Sequence, residues 1–366
     1  MVTQTMKTWD EIREHASLLH TVTRPYDHRS PLAQYAYLRD GDSSQMQRLA
    51  PPTNRTDPNR PHFYTSGTYP MTDVAEGQLM SKIRYPRQLL DRLPANNVLI
   101  DVNWLIQNSM DNDRNALFRF YRNPATEENT LRAVLGSRYT PIDDMDLFWH
   151  IDKYLKNATI VYDGWGSTST HITAIWEDNL EGGLKRGIHI SNSEVGQRSI
   201  SIGAVLYRET CGNILPGFYD SGSEDASGYD GGDNVKLRVN RKGYAGKIQS
   251  QWRFRHIGSE DRLKGWIDLA MEDLETQYST TIAKWNQGLK TLVEDPLEAI
   301  ASISRKATLT QEQLQAAINS WAETKLDFGS CSTGVANAFT LGAQDFAAPE
   351  ARYQMQNAGS LALSIL

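Results

Sequence analysis

The sequence predicts an α+β fold: a mainly antiparallel sheet with helices on one face and a long C-terminal helix. Three observations carry that reading. Short apolar segments between residues 131 and 256 follow one another with turn residues between them, as neighbouring antiparallel strands do. An apolar pattern at three- and four-residue steps starts after Ser259 and runs to Pro296. No strand–helix unit recurs, so nothing points to a parallel sheet wound with helices on both faces. A chain of 366 residues, 39% of them hydrophobic, can bury a sizeable core in one large domain or two ordinary ones.

Residues 1–75 are polar and broken by prolines, among them Pro25, Pro31, Pro51, Pro52, Pro58 and Pro61. They read as an extended arm, apart from a short helix over 8–19 with Trp9, Ile12, Ala16 and Leu19 on one face. Residues 71–93 read as a helix, a turn at Tyr85-Pro86 and a second short helix stopped by Pro94. Residues 98–106 are apolar enough to be buried as helix or strand. Residues 131–142 read as a strand that ends at Pro141. Asp143 then caps a helix running to Leu155, with Met145, Phe148, Ile151, Tyr154 and Leu155 inward.

Two strand pairs follow, 159–162 with 172–176 and 187–193 with 199–207. A third pairs 235–239 with 250–256 around Gly243-Tyr-Ala-Gly246. Residues 220–233 form an acidic, Gly- and Ser-rich loop without a hydrophobic pattern. The helix from Ser259 to Val293 spans about 50 Å at 1.5 Å per residue, too long for one small sheet to cover. Thr310 and Gln313 form a capping box that opens a last helix, with Leu314, Ile318, Trp321 and Leu326 inward. The expected division is a proline-rich arm (1–75), an α+β core with its long helix (76–295) and a helical C-terminal region (296–366).

The net charge of -6 disfavours a simple polyanion binder, but the charge is uneven. Residues 234–258 hold seven Lys or Arg and no acid, so the rest of the chain carries -13. The cations are Lys236, Arg238, Arg241, Lys242, Lys247, Arg253 and Arg255, interleaved with Tyr244, Trp252 and Phe254. Cations that neutralise phosphates beside rings that stack on bases suit a single-stranded nucleic acid. A solvated cationic sheet face would leave the same pattern. A second basic group, Lys82, Arg84, Arg87 and Arg92, lies on the helix before Pro94.

Other chemistry is thin. There is no phosphate-cradling Gly-x-x-x-x-Gly-Lys-Ser/Thr and no strand-linked Gly-x-Gly-x-x-Gly. No cofactor and no catalytic residue is expected. His150, His171, His189 and His256 lie on separate elements. Only His171 and His189 would converge, should their strands pair, and no metal is expected there. Gly329-Ser-Cys-Ser-Thr-Gly334 is not a nucleophile elbow and reads as a small-residue loop. Two cysteines, no apolar signal core and no apolar run of about 20 residues predict a cytoplasmic protein without membrane contact.

Four stretches in order resemble the phage/plasmid-like protein family of unknown function numbered nine hundred and thirty-two. Leu135-Gly-Ser-Arg-Tyr-Thr-Pro-Ile-Asp-Asp-Met-Asp-Leu-Phe148 resembles V-G-x-x-Y-x-P-I/V-x-N-x-E-x-F. Ile190-Ser-Asn-Ser-Glu-Val-Gly196, Arg208-Glu-Thr-Cys-Gly-Asn-Ile-Leu215 and His256-Ile-Gly-Ser-Glu-Asp-Arg-Leu263 resemble the later motifs. Asp144 stands where that pattern has Asn, and one residue is inserted before Gly196. The resemblance implies carriage on phages or plasmids. The element order is similar to that of single-strand annealing proteins such as Red-beta, RecT and Erf, which act without ATP.

The reading that results is a single-stranded DNA-binding annealing protein, a homo-oligomer in a ring or filament. Lys236, Arg238, Arg241, Lys242, Lys247, Arg253 and Arg255 would hold phosphates, and Tyr244 and Trp252 would stack on bases. The competing reading is a non-enzymatic phage interaction protein, such as an inhibitor of a host defence system, that binds no nucleic acid.

Overall fold

A computed structural model describes residues 7–40, 43–48, 67–108, 115–177, 180, 183–209, 212–216 and 252–366. The fold is α+β, with antiparallel sheets and a helical C-terminal region.

The first described residues form β1 (Lys7–Thr8) and α1 (Trp9–Thr23). Thr8 and Glu11 cap this helix reciprocally, and Trp9, Ile12 and Ala16 are buried as the spacing predicts. Beyond α1 the described residues do not form an extended arm. It forms β2 (His28–Pro31), β3 (Tyr35–Asp40), β4 (Ser43–Arg48) and β5 (Thr68–Pro70). Tyr35, Tyr37 and Met46 are fully buried there, and that burial holds a polar, proline-broken stretch in place.

Next come α2 (Asp73–Ile83), a 3-10 turn at Arg87–Leu89 and α3 (Ala95–Asn108). The ambiguous apolar segment is thus helical, with Val98, Val102 and Ile106 at four-residue steps on its buried side. β6 (Asn115–Arg122) and β7 (Asn129–Leu135) join β2 in a three-stranded sheet of order β2-β6-β7. β3, β4 and β5 form another. One core draws on residues from Leu32 to Val134, so it crosses the boundary expected at residue 75.

The strand predicted over 131–142 is therefore not part of the main sheet. It ends at Leu135, where a turn closes with Tyr139 N–H donating to the Gly136 carbonyl (3.0 Å). After it come α4 (Asp144–Ile151), β8 (Thr159–Trp165), β9 (Thr170–Ile175), β10 (Leu184–Asn192), β11 (Ile200–Arg208), β12 (Asn213–Pro216) and β13 (Trp252–Phe254). The main sheet has the order β1-β8-β9-β10-β11-β12, all antiparallel. Both strand pairs expected between 159 and 207 are present. β12 pairs with residues 205–208 of β11 and β13 with residues 200–202. The predicted strand 235–239, the Gly243–Gly246 turn and the acidic loop 220–233 lie outside the described residues.

The helix predicted from Ser259 to Val293 is interrupted at Asp273, giving α5 (Glu260–Glu272) and α6 (Leu274–Lys290). The Asp273 carboxylate accepts from the Trp252 indole (2.8 Å) and from Gln277 (3.3 Å). Both halves keep an apolar side on the sheet. The Tyr278 hydroxyl donates to the Gly187 carbonyl (2.7 Å), and Gln277 accepts from Ala204 N–H (3.0 Å).

Then follow α7 (Pro296–Lys306), α8 (Gln311–Phe328), α9 (Ser332–Gly342) and α10 (Pro349–Ile365), so the helix with the capping box is not the last. Leu326, expected inward, is 87% exposed. Ile300, Phe339 and Met355 join the main core, which therefore continues past the boundary expected at residue 296.

β9, β10 and β11 are buried on both faces. Residues such as Ile188, Ile190, Ile200 and Ile202 face the main core. On the other side Tyr353 of α10 stacks on His189 with centroids 4.2 Å apart. The second face is therefore not open at these strands.

At the sheet's centre, a Cβ on Gly187 would stand 2.7 Å from the Ala174 carbonyl oxygen and 2.9 Å from Val205 Cγ2. Neither neighbour has room to move. Gly187→Ala is expected to lower the stability of the full chain by about 1–3 kcal/mol, the usual cost of overpacking. Urea unfolding followed by circular dichroism measures it, and an unchanged midpoint would contradict the packing described.

Candidate functional site

Of the residues predicted to bind a strand, Lys236, Arg238, Arg241, Lys242, Tyr244 and Lys247 lie outside the described residues. Trp252, Arg253 and Arg255 are described. Arg253 and Arg255 are exposed and enter no ion pair among the described residues. Strand alternation sends Trp252 and Phe254 to the opposite side. That side is the core: Phe254 is buried and Trp252 is half-buried against it, ring on ring at 6.1 Å. With its indole N–H given to Asp273, Trp252 serves the fold and is not laid open as a stacking surface.

Beyond β13 the chain enters a dense polar junction. At its centre is Arg119, a cation in the aromatic run of β6 and fully buried. Its Nε donates to Asp27 (2.8 Å), one terminal nitrogen to Asp143 (2.5 Å) and the other to the Glu194 carbonyl (2.6 Å). Asp143, the N-cap residue of α4, also accepts from Arg24 (3.1 Å). Glu194, in the β10–β11 turn, accepts from Arg132 (2.7 Å) and from Asp144 N–H (3.0 Å). Asp144 accepts from Thr170 (2.6 Å) and Asn192 (2.9 Å). Every carboxylate here is engaged, so the cluster ties the sheets together.

Burial sets the protonation states. It would raise Asp143, but the Arg119 and Arg24 guanidinium groups hold that carboxyl below its usual range. For Asp27, burial outweighs Arg119 and the carboxyl is raised. Asp144 is pushed up to about 7, first by burial and then by the Glu194 carboxylate.

Three of the four stretches that carry the resemblance meet beside this junction. The Gly136–Tyr139 turn is braced by Arg29, which donates to the carbonyls of Ser137 (2.9 Å) and Tyr139 (2.6 Å). The Tyr139 hydroxyl donates to the Ser193 carbonyl (3.0 Å). Its ring lies nearly parallel to His256, 4.8 Å away. Gly196 has φ +71°, and a Cβ there would come within 2.6 Å of Leu135, so the β10–β11 turn needs glycine to close. Thr140 N–H donates to the His256 carbonyl (2.9 Å), fastening the turn to the chain just after β13.

A cleft of about 300 Å³ opens here. Leu32, Lys82, Ala116, Gly136, Ser137, Arg138, Tyr139, His256 and Ile257 line it, with no carboxylate among them. Lys82 comes from the basic helix and His256 from the end of the basic strand. Two basic stretches separated by nearly half the chain therefore share one cleft. The motif residues Gly136, Tyr139 and His256 signalled this place in the sequence, but nothing in their spacing showed that Lys82 stands across from them.

His171 and His189 do converge, with ring nitrogens 3.2 Å apart. His171 also meets Ser169 (3.2 Å) and His189 meets Thr173 (3.0 Å), so all four ring nitrogens are engaged. Burial lowers His171 to about 4 and keeps the pair neutral. Among the described residues no group of three or more His, Cys, Asp or Glu is placed to hold a metal ion. Cys331 is the N-cap residue of α9 and accepts from Gly334 N–H, a structural use of the small-residue stretch.

No protein-family model, no curated protein and no solved structure matches the chain. The family resemblance rests on its four stretches alone. No helix among the described residues is long and apolar enough to cross a membrane.

The raised Asp144 makes stability depend on pH. Its folded form keeps a proton to about pH 7, whereas the ordinary value is 3.8. This contribution is complete below the unfolded value and is lost as pH rises through the folded one. Asp143 has the opposite sign: its contribution is lost as pH falls. The lowered His171 and His256 act with the opposite sign but equally in wild type and variant, so the stability of Asp144→Asn relative to wild type is expected to rise between about pH 5 and about pH 8. Urea midpoints of both proteins at the two pH values test it; an equal change with pH in wild type and variant would contradict the assignment.

Proposed function

We propose that the chain binds single-stranded nucleic acid along the basic edge that runs from β13 into the cleft. One observation carries this reading. Exposed Arg253 and Arg255, without ion pairs among the described residues, lead directly into His256 and Ile257. The cations that line that cleft are Lys82 and Arg138, and among the described residues no carboxylate lines it. A run of exposed cations tracks a phosphate backbone even on an acidic protein, because the local field decides where a polyanion docks. Stacking then falls to Tyr244 rather than Trp252. Lys236, Arg238, Arg241, Lys242 and Lys247 extend the same basic run in sequence. Annealing without ATP and assembly into a ring or filament are the finer parts of the proposal, and they rest on the resemblance.

A second reading, a protein-interaction role without nucleic acid, draws on exposed leucines in the C-terminal region. Leu292 is 83% exposed and Leu326 87%, close to the ends of α6 and α8.

Fluorescence anisotropy with a labelled single strand and its duplex, each at two salt concentrations, separates the readings. Arg253→Ala and Arg255→Ala should each weaken single-strand binding and make the log–log salt slope shallower by about 0.7, one phosphate's share. Absence of saturable binding, or unchanged affinity in the double variant, would contradict the proposal. Light scattering is expected to show more than a monomer, and a clean monomer with and without DNA would remove the ring or filament.

A further inference from the structure

We propose that the cleft between α2 and the Gly136–Tyr139 turn seats one nucleotide. Its phosphate would lie against Lys82 and Arg138, and its sugar hydroxyl would donate to Nε2 of His256.

His256 is only 4% exposed and lines the cleft. Its Nδ1 faces the Thr140 carbonyl at 3.3 Å. A carbonyl oxygen only accepts, so Nδ1 carries the proton of the neutral ring and Nε2 is left as an acceptor. That Nε2 is buried and has no hydrogen-bond partner among the described residues. A buried polar atom without a partner costs free energy, and here it stands beside a cleft a small ligand can enter. Burial lowers the His256 pKa to about 4, so the ring is neutral near pH 7 and asks for a donor, not an anion.

The cations lie at the turn. A Cβ placed on Gly136 would stand 3.8 Å from the Lys82 ammonium nitrogen, which puts that charge over the turn. Arg138 is exposed on the same turn and has no ion pair among the described residues. Arg29 holds the turn's carbonyls from behind, so its shape is set before a ligand arrives. The ligand must therefore combine an anionic group with a hydrogen-bond donor. Inorganic phosphate offers the anion without the sugar, a free nucleoside the sugar hydroxyl without the anion, and a nucleoside monophosphate both. The volume, about 300 Å³, lies at the small end of ligand sites and suits one such unit rather than a longer piece of strand.

This inference takes its ligand class from the nucleic-acid reading, but it is tested separately. The full chain is titrated with uridine 5′-monophosphate, uridine and inorganic phosphate, followed by calorimetry and by the ¹⁵N resonance of His256 Nε2. Saturable millimolar or tighter binding of the monophosphate is expected, with uridine and phosphate each about tenfold weaker, the worth of one lost hydrogen bond to a charged or buried group. The His256 Nε2 resonance should shift with the monophosphate and not with phosphate. Arg138→Ala, an exposed change that leaves the fold intact, should weaken the monophosphate about tenfold. His256→Phe, which keeps a ring against Tyr139, should reduce the monophosphate to the affinity of phosphate. No saturable monophosphate binding, a motionless Nε2 resonance, or equal affinity for all three ligands would overturn the proposal. Loss of strand binding in Arg253→Ala with monophosphate binding retained would show the basic edge and the cleft to be separate determinants. Strand binding retained while the monophosphate fails to bind would remove the cleft alone.

Discussion

The structure depends on the burial of one guanidinium. Arg119 has no contact with solvent, so each of its donors must meet an acceptor and its charge must be balanced nearby. Asp27, Asp143 and the Glu194 carbonyl do this from three separate parts of the chain. Asp27 follows the first helix, Asp143 caps α4 and Glu194 sits in the β10–β11 turn. Replacing such a cluster with well-packed apolar groups often costs little, but removing one member strands the others. The cluster is thus a registration device: these segments must arrive together.

That registration positions the cleft. Tyr139 lies four residues before Asp143, and Ser193, which accepts from the Tyr139 hydroxyl, directly precedes Glu194. Fixing Asp143 and Glu194 therefore fixes the turn against which His256 packs. The β13 strand enters on the same side, held by Trp252 on Asp273. Cations then reach the surface on a frame of buried polar contacts, which would keep the proposed binding edge in shape before a ligand arrives.

Much of the local structure was legible in the sequence, because it is set by short-range chemistry. The Thr310/Gln313 box opened a helix, the apolar spacing after Thr8 marked another, and the paired runs between 159 and 207 formed hairpin-like strands. The meeting of His171 and His189 followed from the pairing of their strands. What was not legible depends on distant partners. Nothing in residues 131–135 says which of two sheets they join. Alternation separated Trp252 and Phe254 from Arg253 and Arg255, but not which side met the core. Arg119 stands between Phe118 and Phe120, but nothing in the sequence marked it as buried, because its partners stand 24 to 92 residues away. The break at Asp273 was hidden because the apolar pattern continues through it.

The central claim is that a polyanion follows the edge from β13 into the cleft. Hydrogen–deuterium exchange of the full chain with and without a single-stranded oligonucleotide tests this most directly, since it reports on each segment without a mutation. The account predicts slower exchange in residues 252–258 and 136–140 and at the C-terminal end of α2, with α7 to α9 unchanged. Slowing confined to the exposed ends of α6 and α8, or no change in the first three segments at saturating oligonucleotide, would contradict it.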